Sequence, residues 1–331
     1  LFRFLKVFFV FAVVLLLSAC GQEKGSQQDN SKEKGALKVY TTIYPLTFFT
    51  EEIGKEHVDV ESILPAGVDE HTYEPTAKTI IDIADGDLFM YNGLGLEPFG
   101  AKVKKSMDKE GVRVVEVGEE IDLGSYGHKD ASGEEEADHE HADEEGHEEH
   151  GHEHAHGGTD PHIWLDPVLA ADMSGVIKDE LSALDPKHKE DYERNYEELK
   201  SKLMKLDGEF QKAAEQSTNK EFLVSHAAFG YWEKEYGFKQ ISVAGLSPTN
   251  EPSQKQLKEM IETARKHQIQ YVIFEQNVTP KVAKVVQKEL KAEALQIHNL
   301  SVLTEEDEAK GENYFTLMEH NVQTLKKAVG K

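Results

Sequence analysis

The sequence predicts an α/β protein of two lobes, each built on a mostly parallel sheet, joined by one long rigid α-helix. Three observations predict it. Strand-like and helix-like stretches alternate over residues 36–116, the pattern of a parallel sheet covered on both faces. Over residues 186–216 that alternation gives way to a single stripe, Tyr192, Tyr196, Leu199, Leu203, Leu206, Phe210 and Ala213, stepping by four and three with Glu and Lys opposite. Beyond residue 217 the alternation resumes.

The elements follow in order. "ALKVYTTIYPL" has the β-branched and aromatic bias of a strand, and "FFTEEIG" reads as a helix that stops at Gly54. "HVDVESIL" is a second strand, closed by Pro65-Ala66-Gly67. "PTAKTIIDIADG" has helical spacing, and "DLFMYNG" is a short apolar strand ended by Asn92-Gly93. A helix over residues 101–109 and the strand "VRVVEV" complete the first lobe. The helix at 186–216, some thirty residues, would span about 45 Å. In the second lobe "EFLVS" and "YVIFE" read as strands, with "PSQKQLKEMIETARKHQ" as a helix between them. "AEALQIHNL" holds a later strand, and "ENYFTLMEHNVQTLKKAV" is a closing helix. The expected plan is two Rossmann-like lobes: residues 36–165, a helical segment with the linking helix at 166–216, and residues 217–331.

The N-terminus, "LFRFLKVFFVFAVVLLLSAC", has a short basic region at Arg3 and Lys6 and an apolar run over residues 7–17. That run is shorter than the roughly 20 residues a bilayer span needs. It reads as a secretory signal peptide over residues 1–19, and Leu-Ser-Ala-Cys resembles a bacterial lipobox. Cys20 is then the lipidated first residue, and residues 20–35 a flexible tether. Cys20 is also the only cysteine, so no disulfide and no thiolate metal site is expected.

The formal net charge is −25 over 331 residues. Residues 130–160 contribute thirteen Asp or Glu with no Lys or Arg. Such an acidic chain is a poor partner for nucleic acid, which needs a basic face. Residues 128–160 are low-complexity and almost free of apolar groups, so they read as a disordered surface loop. This loop carries His128, His139, His141, His147, His150, His152, His154 and His156 among carboxylates. They read either as a solvated linker or as a weak accessory zinc collector, one that releases metal on mild acidification near pH 6 because ligand imidazoles must be neutral.

Four other residues share a feature. His71 follows the second strand, His162 stands in "DPHIWLDP" before a helix, and His226 and Glu275 end the strands "FLVSH" and "YVIFE". Ligands of open α/β sheets collect at the carboxyl ends of strands. A site built from these four would lie in the inter-lobe cleft and hold a metal through His and carboxylate. His57, His188, His267, His298 and His320 lack such context and read as ordinary histidines.

"DEHTYEPT", "IADGDLFMYNGLGLEPF", "DPHIWLDP", "VSHAAFGYWEKEYGF", "GLSPTNEPS" and "FEQN", in that order, resemble the zinc ABC transporter solute-binding lipoproteins, the metal-specific cluster of periplasmic-type binding proteins (solute-binding protein family 9). The resemblance runs from about Ala36 onward. It implies metal ligands at His71, His162, His226 and Glu275, and it accounts for a His- and acid-rich loop before the second ligand. Manganese binders of this kind place a carboxylate where His226 stands. Three imidazoles and one carboxylate fit tetrahedral Zn²⁺. The implied function is extracytoplasmic zinc capture for an ABC permease and its ATPase, by a monomer held at the outer face of the cytoplasmic membrane through its lipid. Two departures are expected: no second-lobe disulfide, and no extra C-terminal zinc-binding domain beyond Lys331, which leaves the loop as the accessory collector. A surface adhesin or zinc buffer is one rival. A zinc hydrolase is the other, but the sequence has no His-Glu-x-x-His helix and Glu275 would close the open position that catalysis needs.

Overall fold

The computed structural model describes residues 35–124, 159–276 and 281–330. The expected signal peptide, Cys20 and the loop histidines His139, His141, His147, His150, His152, His154 and His156 lie outside the described residues. None of the described helices is long and apolar enough to cross a membrane.

Two four-stranded sheets form, both entirely parallel. The first holds β1 (Leu37–Thr41), β2 (Val58–Ser62), β3 (Leu88–Tyr91) and β4 (Arg113–Glu116), in the order β2-β1-β3-β4. The second holds β5 (Glu221–Val224), β6 (Lys239–Ser242), β7 (Tyr271–Glu275) and β8 (Glu293–Ile297), in the order β6-β5-β7-β8. Parallel sheets survive only when both faces are covered. β3, "LFMY", is accordingly buried at all four positions.

In the first half the covering helices are α1 (Tyr44–Gly54), α2 (Ala77–Ala84) and α3 (Gly100–Met107). α1 starts with a proline in its first turn, where the missing N–H costs no hydrogen bond. The Thr76 side chain caps α2 by accepting from Thr79 N. Two long helices follow, α4 (Pro167–Leu184) and α5 (Lys189–Gln216). α5 begins later than the sequence pattern implies, because Pro186–His188 form a 3₁₀ turn. Its 28 residues rise about 42 Å. The expected stripe is its buried face, with Tyr192, Leu199, Leu203, Leu206, Phe210 and Ala213 inside and Tyr196 half-buried.

The second half carries α6 (Gly230–Tyr236), α7 (Gln254–Lys266), α8 (Lys281–Leu290), α9 (Glu305–Lys310) and α10 (Tyr314–Val329). Capping boxes open α7 at Ser253, α9 at Thr304 and α10 at Asn313. β6 and the helices α6, α8 and α9 are additions to the sequence reading. Seven residues are too few to show a helical period in α6. "KQIS" is a short polar edge strand with no apolar alternation.

One hydrophobic core runs through both halves. It joins Val39, Phe49 and Met90 to Leu203 and Phe210 of α5, and onward to Phe222, Trp232 and Tyr314. The outer face of each sheet packs on its own smaller cluster, around Phe89 and Phe99 in one and Leu223 and Val272 in the other. α1 and α10 meet directly: Phe49 lies edge-on to Tyr314 with ring centroids 4.9 Å apart, and Tyr44 N donates to Ser301 O at 2.7 Å. A shared core of this kind opposes wide hinge opening.

Candidate metal centre

Three of the four sequence-predicted residues converge. His71, His162 and His226 each offer a ring nitrogen, and these atoms all lie within 4.8 Å of one another. His162 Nε2 and His226 Nε2 are 3.3 Å apart. A tetrahedral ion with Zn–N bonds of about 2.0–2.1 Å sets its nitrogens about 3.3 Å apart, so this pair already has the edge length of a zinc tetrahedron.

Each histidine is delivered differently. His226 follows β5 and is fully buried. Its Nδ1 lies 2.6 Å from Glu275 Oε1, which also accepts from Ser225 Oγ at 2.7 Å. Glu275 ends β7, and Asn299 Nδ2 donates to its Oε2 at 3.3 Å. β5 and β7 flank the point where the strand order reverses, the usual location of ligands in open α/β sheets.

His162 leads into a 3₁₀ turn, Ile163–Leu165, and then into α4, whose N-cap is Asp166. Asp160 Oδ1 accepts from both His162 N at 3.0 Å and His162 Nδ1 at 2.8 Å. Trp164 Nε1 donates to Asn299 O at 2.7 Å, so the turn is stitched to the loop after β8.

His71 stands on the irregular stretch after the edge strand β2. Asp69 Oδ1 accepts from His71 N at 3.0 Å, but the buried His71 Nε2 has no hydrogen-bond partner among the described residues. Glu70 beside it is 1% exposed, and its Oε1 is likewise unpartnered, 3.9 Å from His71 Nε2.

Burial and neighbouring charges shift the titratable groups of the site in different directions. Burial pulls the His71 imidazole down to about 3, with the His162 and His226 charges adding to the effect. His71 is therefore a neutral donor at any physiological pH. Burial pushes the Glu70 carboxyl up to about 7. Burial alone would lower His226 and raise Glu275. Their mutual charge and hydrogen bond outweigh it, so His226 titrates above its ordinary value and Glu275 below. The two form a close buried pair, and His226 Nε2 faces His162 Nε2.

The sequence reading placed Glu275 among the ligands. In this structure its carboxylate stands behind His226, on the ring nitrogen remote from the other imidazoles. Asp160 was missed, although it sits two residues before His162 in the same Asp-x-His spacing as Asp69 and His71. Ser225 and Asn299 carry no sequence signal. Of the histidines read as ordinary, His57 stacks on His188 at 3.7 Å between centroids, and buried His298 bonds Asp307 at 3.2 Å.

A two-lobed α/β scaffold that gathers three imidazoles at one point has the make-up of a metal-binding protein. The chain belongs to the zinc-uptake complex component A (ZnuA, periplasmic) family, whose model matches residues 39–328. It is 39% identical to the high-affinity zinc uptake system protein ZnuA of Bacillus subtilis, over 97% of this chain and 96% of that one. It is 36% identical to the zinc-binding lipoprotein AdcA of Streptococcus pneumoniae over 95% of this chain, and it spans 60% of that relative's length. The crystal structure of the Zn(II)-bound ZnuA-like domain of the pneumococcal protein superposes with a TM-score of 0.70 at 32% identity, covering 90% of this chain and all of that one. The family is one of binding components, not enzymes.

Proposed function

We propose that this chain captures Zn²⁺ outside the cytoplasmic membrane and hands it to an ABC permease and its ATPase. The observation that carries this reading is the 3.3 Å separation of His162 Nε2 and His226 Nε2, with a His71 nitrogen beside them. Three imidazoles select zinc over manganese, which prefers carboxylate and water. Lipid on Cys20 would hold the protein at the outer face of the membrane, where it acts as a monomer. The loop histidines His139, His141, His147, His150, His152, His154 and His156 would collect zinc weakly beside the site.

The fourth donor is a carboxylate or a water, and two carboxylates are candidates. Glu275 is the one the family resemblance indicates, and its Oε2 is held only by a 3.3 Å amide contact. Glu70 is favoured by its unpartnered, buried Oε1. Glu70→Gln separates them. A fall in zinc affinity comparable to that of a lost histidine assigns the donor to Glu70; an unchanged affinity leaves it to Glu275 or to water.

The experiment for the main reading is competition titration with Zn²⁺ and Mn²⁺ against chelators, on the parent chain, on a variant lacking residues 128–158 and on His226→Ala. One tight zinc per chain, kept on loop deletion and lost in His226→Ala, is expected. Loss of the tight site on loop deletion would refute the three-histidine centre. Zinc-dependent uptake in cells separates transport from an adhesin or buffer role.

A further inference from the structure

We propose that Asp160 is a positioning residue of this metal centre and that the second half of the chain seats it, so His162 is aimed from across the cleft. The inference rests on the zinc-capture reading above and names the residues that set one of its ligands.

One local motif occurs twice at the site. Asp69-Glu70-His71 and Asp160-Pro161-His162 both fold so that the Asp carboxylate accepts the backbone N–H of the His, at 3.0 Å in each. In the first copy the carboxylate holds the backbone alone. In the second, the same Asp160 Oδ1 also accepts from the ring, at 2.8 Å. That second bond puts the proton on Nδ1, leaves the Nε2 lone pair bare and fixes the ring plane. His162 Nε2 is the atom that lies 3.3 Å from His226 Nε2.

What holds Asp160 comes from the other side of the cleft. Tyr231 OH donates to the Asp160 carbonyl at 2.5 Å. Asp160 Oδ2 rests against the backbone of Gly230, the first residue of α6; a Cβ at position 230 would fall 2.6 Å from that oxygen. Further along the turn, Trp232 Nε1 donates to Leu165 O and Tyr314 OH to Trp164 O, each at 2.7 Å. The first half contributes one such clamp, Asn92 Nδ2 to Pro161 O at 2.9 Å. His162 therefore precedes the linking helices in sequence, yet its orientation is governed by α6 and α10. Gly230 has a specific reason to be glycine: it leaves room for the carboxylate that orients a ligand.

The test uses the full chain. Zinc affinity is read by chelator competition, and the His162 ring tautomer in metal-free, ¹⁵N-histidine-labelled protein by long-range nitrogen–proton NMR, assigned through its loss in His162→Gln. Asp160→Ala is expected to weaken zinc by roughly 10–100-fold, the usual effect of losing an outer carboxylate on a ligating His, and to shift His162 from the Nδ1–H form to a mixture. Asp160→Asn keeps an acceptor and is expected to restore most of both signals. Gly230→Ala should weaken zinc in the same direction by displacing Asp160. A thermal melt of Gly230→Ala that matches the parent's shows that a loss there is not a folding defect. Unchanged affinity and tautomer in Asp160→Ala would overturn the proposal. So would equal losses in the Ala and Asn variants with the His162 tautomer unmoved, which would make Asp160 merely structural. Absence of a tight zinc in the parent chain would refute the capture reading instead, while the metal-free NMR would still read the Asp160–His162 bond.

Discussion

Both sheets run in the same order, and in each the order reverses between two central strands, β1 and β3 in the first and β5 and β7 in the second. The two reversal points are built alike. A hydroxyl just past the first strand donates to a buried glutamate: Thr42 Oγ1 to Glu97 Oε1 at 2.6 Å in one, Ser225 Oγ to Glu275 Oε1 at 2.7 Å in the other. They differ in what else the glutamate holds. Glu97 accepts from the backbone N–H groups of Asn92 and Gly93, at 2.9 and 3.0 Å, and so closes a turn. Glu275 accepts from the ring of His226. The same hydroxyl–carboxylate pair thus makes a structural plug in the first lobe and a ligand support in the second. The first lobe then supplies its own histidine, His71, from beyond an edge strand, with no carboxylate bonded to the ring.

Two substitutions should break this symmetry in opposite senses. His226→Ala has the largest expected effect on binding: zinc affinity falls by more than the roughly 10–100-fold of an outer-shell loss, as read by chelator competition. Glu97→Gln should act on stability instead. It puts an NH₂ group opposite buried backbone donors, which costs about 1–3 kcal/mol, while zinc affinity changes by less than about 10-fold, the lower edge of an outer-shell effect. A thermal melt and a titration on each variant suffice. A Glu97→Gln protein that folds normally but loses zinc would erase the distinction between the two points.

Much of this was legible in the sequence. The α5 stripe from Tyr192 to Ala213 is a burial pattern written in residue type, and it gives both the linking helix and its buried face. His226 and Glu275 are visible because "FLVSH" and "YVIFE" end apolar runs, where strands end. What the sequence hides is which atom faces which. The order β6-β5-β7-β8 depends on pairing across long separations, and "KQIS" gives no period by which to place β6 at an edge. Glu275 on the far nitrogen of His226, Gly230 against Asp160, and Asn299 reaching Glu275 are products of that pairing. The Asp-x-His repeat was on view twice, but nothing local distinguishes the copy that bonds the ring from the copy that does not.

A proton count sharpens the comparison. Glu275 raises His226 above its ordinary value, and a proton on the ring competes with zinc for the donor nitrogen. His71, lowered to about 3, brings no proton to neutral solution. Zinc binding should therefore release protons from His226, because a ligating imidazole must give up the proton on its donor nitrogen. Calorimetry in buffers of different ionisation enthalpy measures it. Affinity should fall as pH drops and the proton competes more strongly. Glu275→Gln should reduce the release, since His226 then loses the charge that raises it. An unchanged release would locate the proton elsewhere.

The smallest expected effect lies just behind the second reversal point and has no counterpart in the first. Gln276, the residue after β7, donates to both oxygens of Asp307 at 3.1 Å. Asp307 also closes the Thr304 capping box that starts α9 and bonds His298 Nε2 at 3.2 Å. Burial would raise this carboxyl, but the Thr304 hydroxyl and amide, Gln276 and His298 outweigh it and hold it at about 2. A carboxyl depressed below its unfolded value near 3.9 stabilises the fold above that value. The contribution is lost as pH falls through about 2, so the window is pH 4 to 2. Asp307→Asn should lower the urea midpoint at pH 5 and above, and the gap to the parent protein should close as pH falls through that window. A gap that stays constant from pH 5 to pH 2 would mean that the Asp307 charge contributes nothing, and that Gln276 is held after β7 by geometry alone.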